Sequence, residues 1–447
     1  MNRLLVTGAT VLTIADEPLR QDADVLIENG RIAAVGAVDP AKSSGAEMID
    51  ARGCVVMPGL INAHTHLFQT LLRGFADGQP LTEWLRRIYS VGRALTPDDC
   101  RISARLGALE SLRGGVTTVL EHHFVHPSLE HAAATIEGLQ EAGIRAIVAR
   151  TSMDSGNLPP RETTETPDAA GAASEAFVRR FAERPLLTLM IGPNTPPINA
   201  SAGLIHAMHR VALGQGIRIT THCAEAMSIV ARARELGAAG VVDFLEQLGV
   251  LNPGWLLSHS VHVNDREIEI MRTRGVSVAH NPVSNMYLGD GIAPVVKYRR
   301  AGIAVGLGTD GPSSNNTLDM FETMKVTSLL QRVAALDAAA IRPVDVVRMA
   351  TLEGARAVGL DHLVGSLEVG KRADLIVIDM DRPHLVALHD AYSQIVHCAR
   401  AADVRDTIVD GRVVMRNGTV RTLNRTSVLA EARRAGRRLV SDLRALG

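Results

Sequence analysis

The stretch Pro58-Gly59-Leu60-Ile61-Asn62-Ala63-His64-Thr65-His66 carries most of the information about the fold of this chain. It is an apolar run that ends in two histidines separated by one residue. Alternation along a strand places both imidazoles on the same face, where they can hold one metal ion together. The stretch therefore predicts a buried strand that ends in a metal site.

Outward from this strand, short apolar runs alternate with helical segments such as Asp99 to Leu112 and Asp265 to Arg274. This alternation is typical of a parallel α/β fold, and eight strand–helix units predict a (β/α)8 TIM-like barrel. The polar stretch from Thr151 to Asp168 interrupts the rhythm and predicts a long loop or lid. The eight strands are predicted to begin near Val55, Val116, Ile144, Leu186, Ile217, Trp255, Val276 and Ile303.

Further metal-type residues stand at the predicted strand ends. Strand five ends in His222, strand six in His259 and strand eight in Asp310. In such barrels the reacting groups gather at the C-terminal ends of the strands. A lone histidine is more often an ordinary core or surface residue, but five metal-type residues at strand ends predict one shared site.

Both ends of the chain read as β-structure. Asn29-Gly30, Asp410-Gly411 and Asn417-Gly418 are hairpin turns between short apolar strands. Neither end has enough strands for a stable sheet of its own, so we expect the two ends to form one small β-sandwich domain. The predicted domains are residues 1–57 and 361–423 for the two parts of the β-sandwich, 58–360 for the metal-binding barrel and 424–447 for a terminal helix.

Length and composition limit the function classes. The 447 residues suit a large barrel with an accessory domain, and 46% hydrophobic residues exclude a disordered chain. A net charge of -1 gives no electrostatic case for binding nucleic acid or an anionic membrane. Four scattered cysteines suit a reducing compartment, and the start at Met1 does not resemble a signal peptide, so we expect a cytoplasmic protein without membrane spans.

The metal-type motifs together resemble the amidohydrolase superfamily. The resemblance covers nearly the whole chain and implies a barrel, a β-sandwich and a hydrolase that activates water on a metal ion. Its deaminase-like branch is the most similar part and includes S-adenosylhomocysteine, guanine and 8-oxoguanine deaminases and s-triazine hydrolases such as atrazine chlorohydrolase. Besides the stretch quoted above, the motifs are His222-Cys223-Ala224-Glu225, Ser258-His259-Ser260, His280-Asn281-Pro282-Val283-Ser284-Asn285, Gly308-Thr309-Asp310-Gly311 and the closing Gly365-Ser366-Leu367-Glu368-Val369-Gly370-Lys371-Arg372-Ala373-Asp374-Leu375.

The number of metal ions follows from the lysines. Two-metal members of the superfamily bridge their ions with a carboxylated lysine after strand four, and this chain has no lysine there. One ion per chain is expected: Zn²⁺, with Fe²⁺ as the alternative, since histidine and carboxylate ligands suit both. The four lysines are Lys42, Lys297, Lys325 and Lys371.

The resemblance also implies roles for single residues. His64, His66, His222 and Asp310 match the metal ligands, and Glu225 matches the proton shuttle, while His259 orients the water and Asp310 accepts a second proton. Glu83 resembles a position that binds ribose, whereas Glu121-His122-His123-Phe124 resembles the free-base and triazine members, so nucleoside and free base both stay open. The expected substrate contacts are Gln69, Glu83, Trp84, His123, His280 and Asn285.

The predicted function is metal-dependent hydrolytic deamination of an aromatic N-heterocycle of the purine, pterin, pyrimidine or s-triazine type. The alternative is dechlorination or dealkylamination of an s-triazine-like ring at the same site. Opening of a cyclic amide is less favoured, because the bridging lysine is missing. A non-catalytic assembly role is less favoured, because the set of metal ligands is complete. A small-molecule substrate and a homo-oligomer, a dimer or larger, are expected.

Overall fold

The computed structural model describes residues 3–15, 19–39, 41 and 44–446, so that Met1 and Lys42, cited above, lie outside it. Its strands form two sheets, one of eight strands and one of nine.

The eight-stranded sheet is a nearly closed parallel barrel. Consecutive strands pair in chain order, and its first and last strands meet where the Asp310 amide donates to the His64 carbonyl at 2.9 Å. The predicted TIM-like barrel is confirmed. Its strands are β6 (Leu60–Thr65), β7 (Val116–His123), β8 (Arg145–Ser152), β9 (Leu187–Pro193), β10 (Arg218–Cys223), β11 (Trp255–His259), β12 (Ser277–His280) and β13 (Val305–Leu307).

The start predicted for the first barrel strand, near Val55, is wrong. Val55 lies in a strand of the other sheet, Cys54–Pro58, and the barrel strand begins at Leu60. A short buried apolar run has the same pattern in either sheet, so the sequence does not separate the two strands. The chain passes between the sheets at Gly59, where a Cβ would lie 2.1 Å from the Thr117 hydroxyl.

The nine-stranded sheet joins the two chain ends, as predicted. Cys54–Pro58 of the N-terminal part and Leu375–Asp379 of the C-terminal part pair antiparallel at its centre. Both central residues of all three predicted hairpin turns have positive φ. Its strands are β1 (Arg3–Leu12), β2 (Leu19–Glu28), β3 (Arg31–Gly36), β4 (Glu47–Asp50), β5 (Cys54–Pro58), β14 (Leu375–Asp379), β15 (Val404–Val409), β16 (Arg412–Arg416) and β17 (Thr419–Val420). Their order in the sheet is β17-β16-β15-β14-β5-β1-β2-β3, with β4 beside β1.

This sheet buries both of its faces. Val6, Val25 and Val377 share an apolar cluster within the sheet domain, whereas Met57 and Ile376 belong to the large cluster that continues into the barrel. The sheet therefore packs on the barrel as a small accessory domain. The exact boundaries given above for the domains stay predictions.

Helices cover the outside of the barrel. The predicted helix Asp265–Arg274 has those bounds; Asn264 and Glu267 form its capping box, and Gly275 ends it with φ 67°. The helices are α1 (Leu81–Ser90), α2 (Pro97–Arg113), α3 (Leu129–Ala142), α4 (Pro167–Phe181), α5 (Ala202–Gln215), α6 (Met227–Glu235), α7 (Val241–Gln247), α8 (Asp265–Arg274), α9 (Pro282–Tyr287), α10 (Val295–Arg300), α11 (Met320–Ala335), α12 (Pro343–Met349), α13 (Leu352–Val358), α14 (Ala391–His397) and α15 (Arg425–Leu446).

The last helix, α15, packs against α2. Within the described part of the chain there are also four 3-10 turns: Leu67–Leu71, Val91–Arg93, Arg161–Thr163 and Ala401–Asp403. Among the residues that the structure describes, none of the helices has the length and apolar character required to cross a membrane.

Candidate active site

Five polar side chains from four strand ends converge at the C-terminal mouth of the barrel. His64 and His66 end β6, His222 lies in β10, His259 ends β11 and Asp310 follows β13. The Asp310 Oδ1 atom lies 3.1 Å from Nε2 of His66 and 3.5 Å from Nε2 of His64. The Nε2 atoms of His222 and His66 are 3.2 Å apart. The predicted grouping of these residues in one site is what the structure shows.

Hydrogen bonds orient the imidazoles of His64, His66 and His222. Each uses Nδ1 for a neighbouring group, which directs Nε2 to the centre of the site. The partners of Nδ1 are Ser258 Oγ for His64 at 2.9 Å, the His122 carbonyl for His66 at 2.7 Å and the Asn194 carbonyl for His222 at 3.0 Å.

Asp310 is held by two hydroxyl groups. Its Oδ2 atom accepts hydrogen bonds from Ser284 at 2.5 Å and Ser314 at 2.9 Å, which leaves Oδ1 for the histidines. Burial by itself raises the pKa of this carboxyl, but the contacts with His64 and His66 hold the pKa well below its usual range. Asp310 is therefore a carboxylate.

The backbone at this mouth adopts unusual conformations. Ala224, His259, Ser260 and Asp310 have φ of 46°, 67°, 49° and 61°, in the left-handed region that residues other than glycine rarely occupy. Such residues cluster at functional sites because the surrounding structure holds them there at a cost in free energy. Here they follow β10, β11 and β13 and turn the polar side chains toward one another.

Glu225 lies beside this group. Its Oε1 atom is 3.6 Å from Nδ1 of His259, and the side chain is buried. Burial raises the pKa of Glu225 to about 8, the charge of Asp310 adds to the rise, and His66 opposes it. A buried carboxyl with a raised pKa can take up and release a proton near neutral pH.

A cavity of about 320 Å³ opens over these residues. Its inner end is polar, and its outer wall is formed by apolar and aromatic side chains from α1 and from the loop after β8. The lining residues are His66, Leu81, Thr82, Trp84, Leu85, Arg86, Tyr89, Phe124, Asn157, Leu158, Asn194, Thr195, Ile198, Asn199, His222, Glu225, Ser228, Ile229, His259 and Asp310.

Trp84 is the one predicted substrate contact that lines this cavity, and its indole N–H donates to the Ser313 carbonyl at 3.2 Å. Glu83 lies outside the wall, because its half-exposed carboxylate pairs with Arg86. Gln69 is buried behind the wall, where its side-chain oxygen accepts from the Ser313 amide at 3.3 Å. Substrate-binding roles for Glu83 and Gln69 stay predictions.

The three other predicted contacts are buried and also do not line the cavity. His123 lies with Nδ1 3.2 Å from Glu121 Oε1, and Asn285 accepts from Nδ1 of His259 at 2.8 Å. His280 makes no ring hydrogen bond to the residues described, and burial lowers its pKa to about 3. Substrate-binding roles for His123, His280 and Asn285 stay predictions.

Several residues that line the cavity were not predicted from the sequence. Asn194 and Thr195 directly follow β9, so their position at the end of a barrel strand was an available signal. Asn194 and Asn199 both donate to the Tyr89 hydroxyl, at 3.1 and 2.7 Å. Leu158 comes from the long loop after β8, and no local pattern indicated its place on the wall.

The residues present fit a metal ion. Ligand-type atoms of His64, His66 and Asp310 lie within 4.8 Å of one another, as do those of His64, His222 and His259. The buried atoms His64 Nε2 and Asp310 Oδ1 have no hydrogen-bond partner among the described residues. Burial lowers the pKa of His64 to about 3 and that of His222 well below its usual value, so that both rings are neutral and offer lone pairs. Neutral imidazoles with a carboxylate are ligands for Zn²⁺ or Fe²⁺.

Comparisons with known proteins agree with this geometry. Residues 55–414 match the amidohydrolase family. The chain is 38% identical over 444 residues to the 5-methylthioadenosine/S-adenosylhomocysteine deaminase of Natronomonas pharaonis, with 99% of both chains covered. It is 35% identical over 445 residues to the 5′-deoxyadenosine deaminase of Methanosarcina mazei, again with 99% of both chains covered.

Two of the solved structures that resemble this chain match it over almost its whole length. An adenosine deaminase from Xanthomonas campestris with bound zinc superposes with a TM-score of 0.91 at 30% identity, covering 98% of both chains. The atrazine chlorohydrolase of Arthrobacter aurescens complexed with zinc gives a TM-score of 0.91 at 28% identity, covering 97% of this chain and all of that one.

The chain belongs to the amidohydrolase family. It is a hydrolase of C–N bonds other than peptide bonds, a metal-dependent deaminase of an aromatic N-heterocycle, as the sequence predicts. A divalent metal ion is its cofactor.

Proposed function

We propose that the site holds one Zn²⁺ per chain on His64, His66, His222 and Asp310. The support is the donor set itself: oriented Nε2 atoms, a carboxylate oxygen without a hydrogen bond, and the buried, neutral imidazoles of His64 and His222. When bound, the divalent ion supplies an activated water molecule for attack on a ring carbon.

Glu225 is the proton carrier in this proposal. The observation that supports it most is a buried carboxyl on the cavity wall, 3.6 Å from His259 and with a pKa near 8. It takes a proton from the attacking water and delivers it to a ring nitrogen, which makes the adjacent carbon electrophilic. Asp310 receives the second proton and passes it to the leaving amine.

His259 holds the attacking water. Asn285 Oδ1 accepts a hydrogen bond from Nδ1–H, so in the neutral imidazole Nε2 is the unprotonated nitrogen, and it is buried without another partner among the described residues. A neutral imidazole in this tautomer can accept a hydrogen bond from water and direct its lone pair to the ring.

The substrate we propose is an adenine nucleoside altered at its 5′ position. The relatives named above are deaminases of 5-methylthioadenosine, S-adenosylhomocysteine and 5′-deoxyadenosine. Trp84 and Phe124 are flat side chains on which a purine can stack, and Leu81, Leu85 and Leu158 form an apolar outer wall for a 5′ substituent.

Hydrolysis of an s-triazine ring at its chloro or alkylamino substituent is the second candidate. It is supported by the similarity to atrazine chlorohydrolase over 97% of the chain. The same proton transfer from Glu225 to a ring nitrogen serves both reactions. The leaving group, chloride or amine, is the difference between them.

Zinc-loaded protein should release ammonia from 5′-deoxyadenosine and 5-methylthioadenosine faster than from guanine, 8-oxoguanine, isoxanthopterin, cytosine or melamine. Glu225→Gln serves as the blank, and Glu235→Gln, an exposed acid on α6, serves as its matched control. Metal content measured on the same samples should give one zinc ion per chain. Silence on both nucleosides, with chloride or alkylamine released from triazines, would replace the first candidate by the second.

A homo-oligomer and a cytoplasmic location stay predictions. Light scattering of the purified protein measures the first, and a mass of one chain would contradict it.

A further inference from the structure

The C-terminal helix α15 reaches the apolar cluster behind the substrate cavity. Leu439 is completely buried, in one apolar cluster with Trp84, Ile88 and Tyr89 of helix α1. Trp84 and Tyr89 also line the cavity. A side chain from the last helix of the chain therefore belongs to the packing that supports the substrate wall.

The same helix contacts the chain on both sides of α1. It packs on the 3-10 turns Leu67–Leu71, directly after His66, and Val91–Arg93, directly after α1. A groove between the two helices is lined by Arg87 and Ser90 of α1 and by the last turns of α15. The terminal helix thus packs on the turns that precede and follow α1, the helix that forms part of the outer wall.

Other contacts anchor α15 to a part of the fold that does not line the cavity. Ala432 and Ala435 pack with Ile102 of α2. Arg438 forms an ion pair with the buried Asp99, also of α2. These contacts with α2 fix the position of Leu439 relative to the barrel.

Helix α1 has little polar support of its own on its outer face. Glu83 and Arg86 are half exposed and pair with each other. Its inner face is held by apolar residues that share the cluster with Leu439, together with the hydrogen bonds of Trp84 and Tyr89 described above. Loss of buried volume at that point leaves a cavity next to the wall.

We infer that α15 positions the substrate wall of the active site, with Leu439 as the positioning residue. The inference rests on the proposed function only in that the cavity is taken as the substrate site. It assigns to the terminal helix a part in substrate binding that is separate from the metal ligands and from Glu225.

Tryptophan fluorescence of the zinc-loaded, full-length protein provides a test without substrate. The chain has two tryptophans, Trp84 in α1 and Trp255, which is completely buried in the barrel core. Leu439→Ala should raise the acrylamide quenching constant and shift the emission to the red, and Leu439→Met should restore both. Trp84→Phe in the Leu439→Ala background should abolish the change, which assigns it to Trp84.

Val428→Ala is the matched control. Val428 is equally buried in α15, but it packs in the cluster of the barrel rather than behind the wall. The two substitutions remove buried apolar volume from the same helix, so a general loss of helix packing affects both. Only Leu439→Ala should change the Trp84 signal.

Kinetics complete the test. With the best nucleoside, Leu439→Ala should raise KM roughly tenfold, corresponding to about 1.4 kcal/mol of substrate binding, with kcat unchanged. Val428→Ala should leave KM unchanged. An unchanged Trp84 signal in Leu439→Ala, an equal change in Val428→Ala, or a loss of kcat at constant KM would each overturn the inference. If no nucleoside is turned over, the proposed function fails, while the fluorescence result still decides whether α15 supports the wall.

Discussion

Asn285 accepts a hydrogen bond from His259, with 2.8 Å between Oδ1 and Nδ1. In the neutral imidazole this bond places the proton on Nδ1 and makes Nε2 the hydrogen-bond acceptor. Both residues are completely buried, so water cannot easily take the place of the Asn285 side chain as acceptor when Asn285 is substituted.

Asn285→Leu should therefore lower kcat by about 10- to 100-fold while the metal content stays at the wild-type value. The size of the side chain is nearly kept, and only the acceptor is removed. Steady-state kinetics and metal analysis on one preparation measure both quantities. Equal activity of Asn285→Leu and wild type would show that the tautomer of His259 does not matter.

Glu225→Gln should lower kcat by roughly 10²–10⁴-fold, because the amide cannot carry the proton. Metal binding should persist, since Glu225 is not among the four proposed ligands. Rapid-quench measurement of a single turnover separates the chemical step from product release. A variant that turns over like the wild type would exclude Glu225 as the proton carrier.

The stability of the metal-free protein should depend on pH through Glu225. Its folded pKa of about 8 lies above the ordinary value of 4.5, so the folded state favours the neutral form. This contribution is complete below pH 4.5 and is lost as the pH rises toward 8, at up to about 1.4 kcal/mol per pH unit. The buried His64, His222 and His280 have lowered pKa values and add stability as the pH rises through about 6.5, so the test is the difference between two proteins. In urea unfolding between pH 5 and 8, the stability of the wild type relative to Glu225→Gln should fall as the pH rises. Parallel curves for the two proteins would contradict the raised pKa.

Arg145 and Asp374 clamp the barrel to the sheet domain. Asp374 accepts two hydrogen bonds from the guanidinium, at 2.9 and 2.8 Å, and a third from the Asp410 amide at 2.8 Å. Both side chains are buried, so Asp374→Asn should lower the free energy of unfolding by about 3–5 kcal/mol. Denaturant unfolding measures the change. Asp50→Asn, at an exposed pair with Arg52, should leave the midpoint unchanged and serves as control.

Zinc should stabilise the folded protein by mass action. At a free zinc concentration near 100 times the dissociation constant, the gain is about 2.7 kcal/mol, and a chelator should remove it. Differential scanning calorimetry of His66→Ala should show no gain. His206→Ala, an exposed helical histidine, should behave like wild type. Stabilisation of His66→Ala by zinc to the wild-type extent would remove His66 from the proposed ligand set.

The sequence predicted the elements whose signals are local. Asn29-Gly30 and Asp410-Gly411 specify turns that need positive φ, and Asn264 with Glu267 specifies a helix start. The converging histidines were also predictable, because strand ends of a parallel barrel meet at one mouth.

The contacts of individual side chains were not visible in the sequence pattern. Glu83 is drawn outward by Arg86, one turn away, and Gln69 is held by Ser313, more than 200 residues away. Neither preference is visible in the pattern of apolar residues. The same holds for Leu158, which the fold of a long loop brings to the cavity.

The pairing of Cys54–Pro58 with Leu375–Asp379 also has a consequence for synthesis on the ribosome. The second strand is made roughly 320 residues after the first. At 5–20 residues per second, the first strand waits on the order of 16–64 s with one edge unpaired. An open strand edge is a template for aggregation, so nascent chains shorter than about 375 residues should need chaperone protection that the finished protein does not.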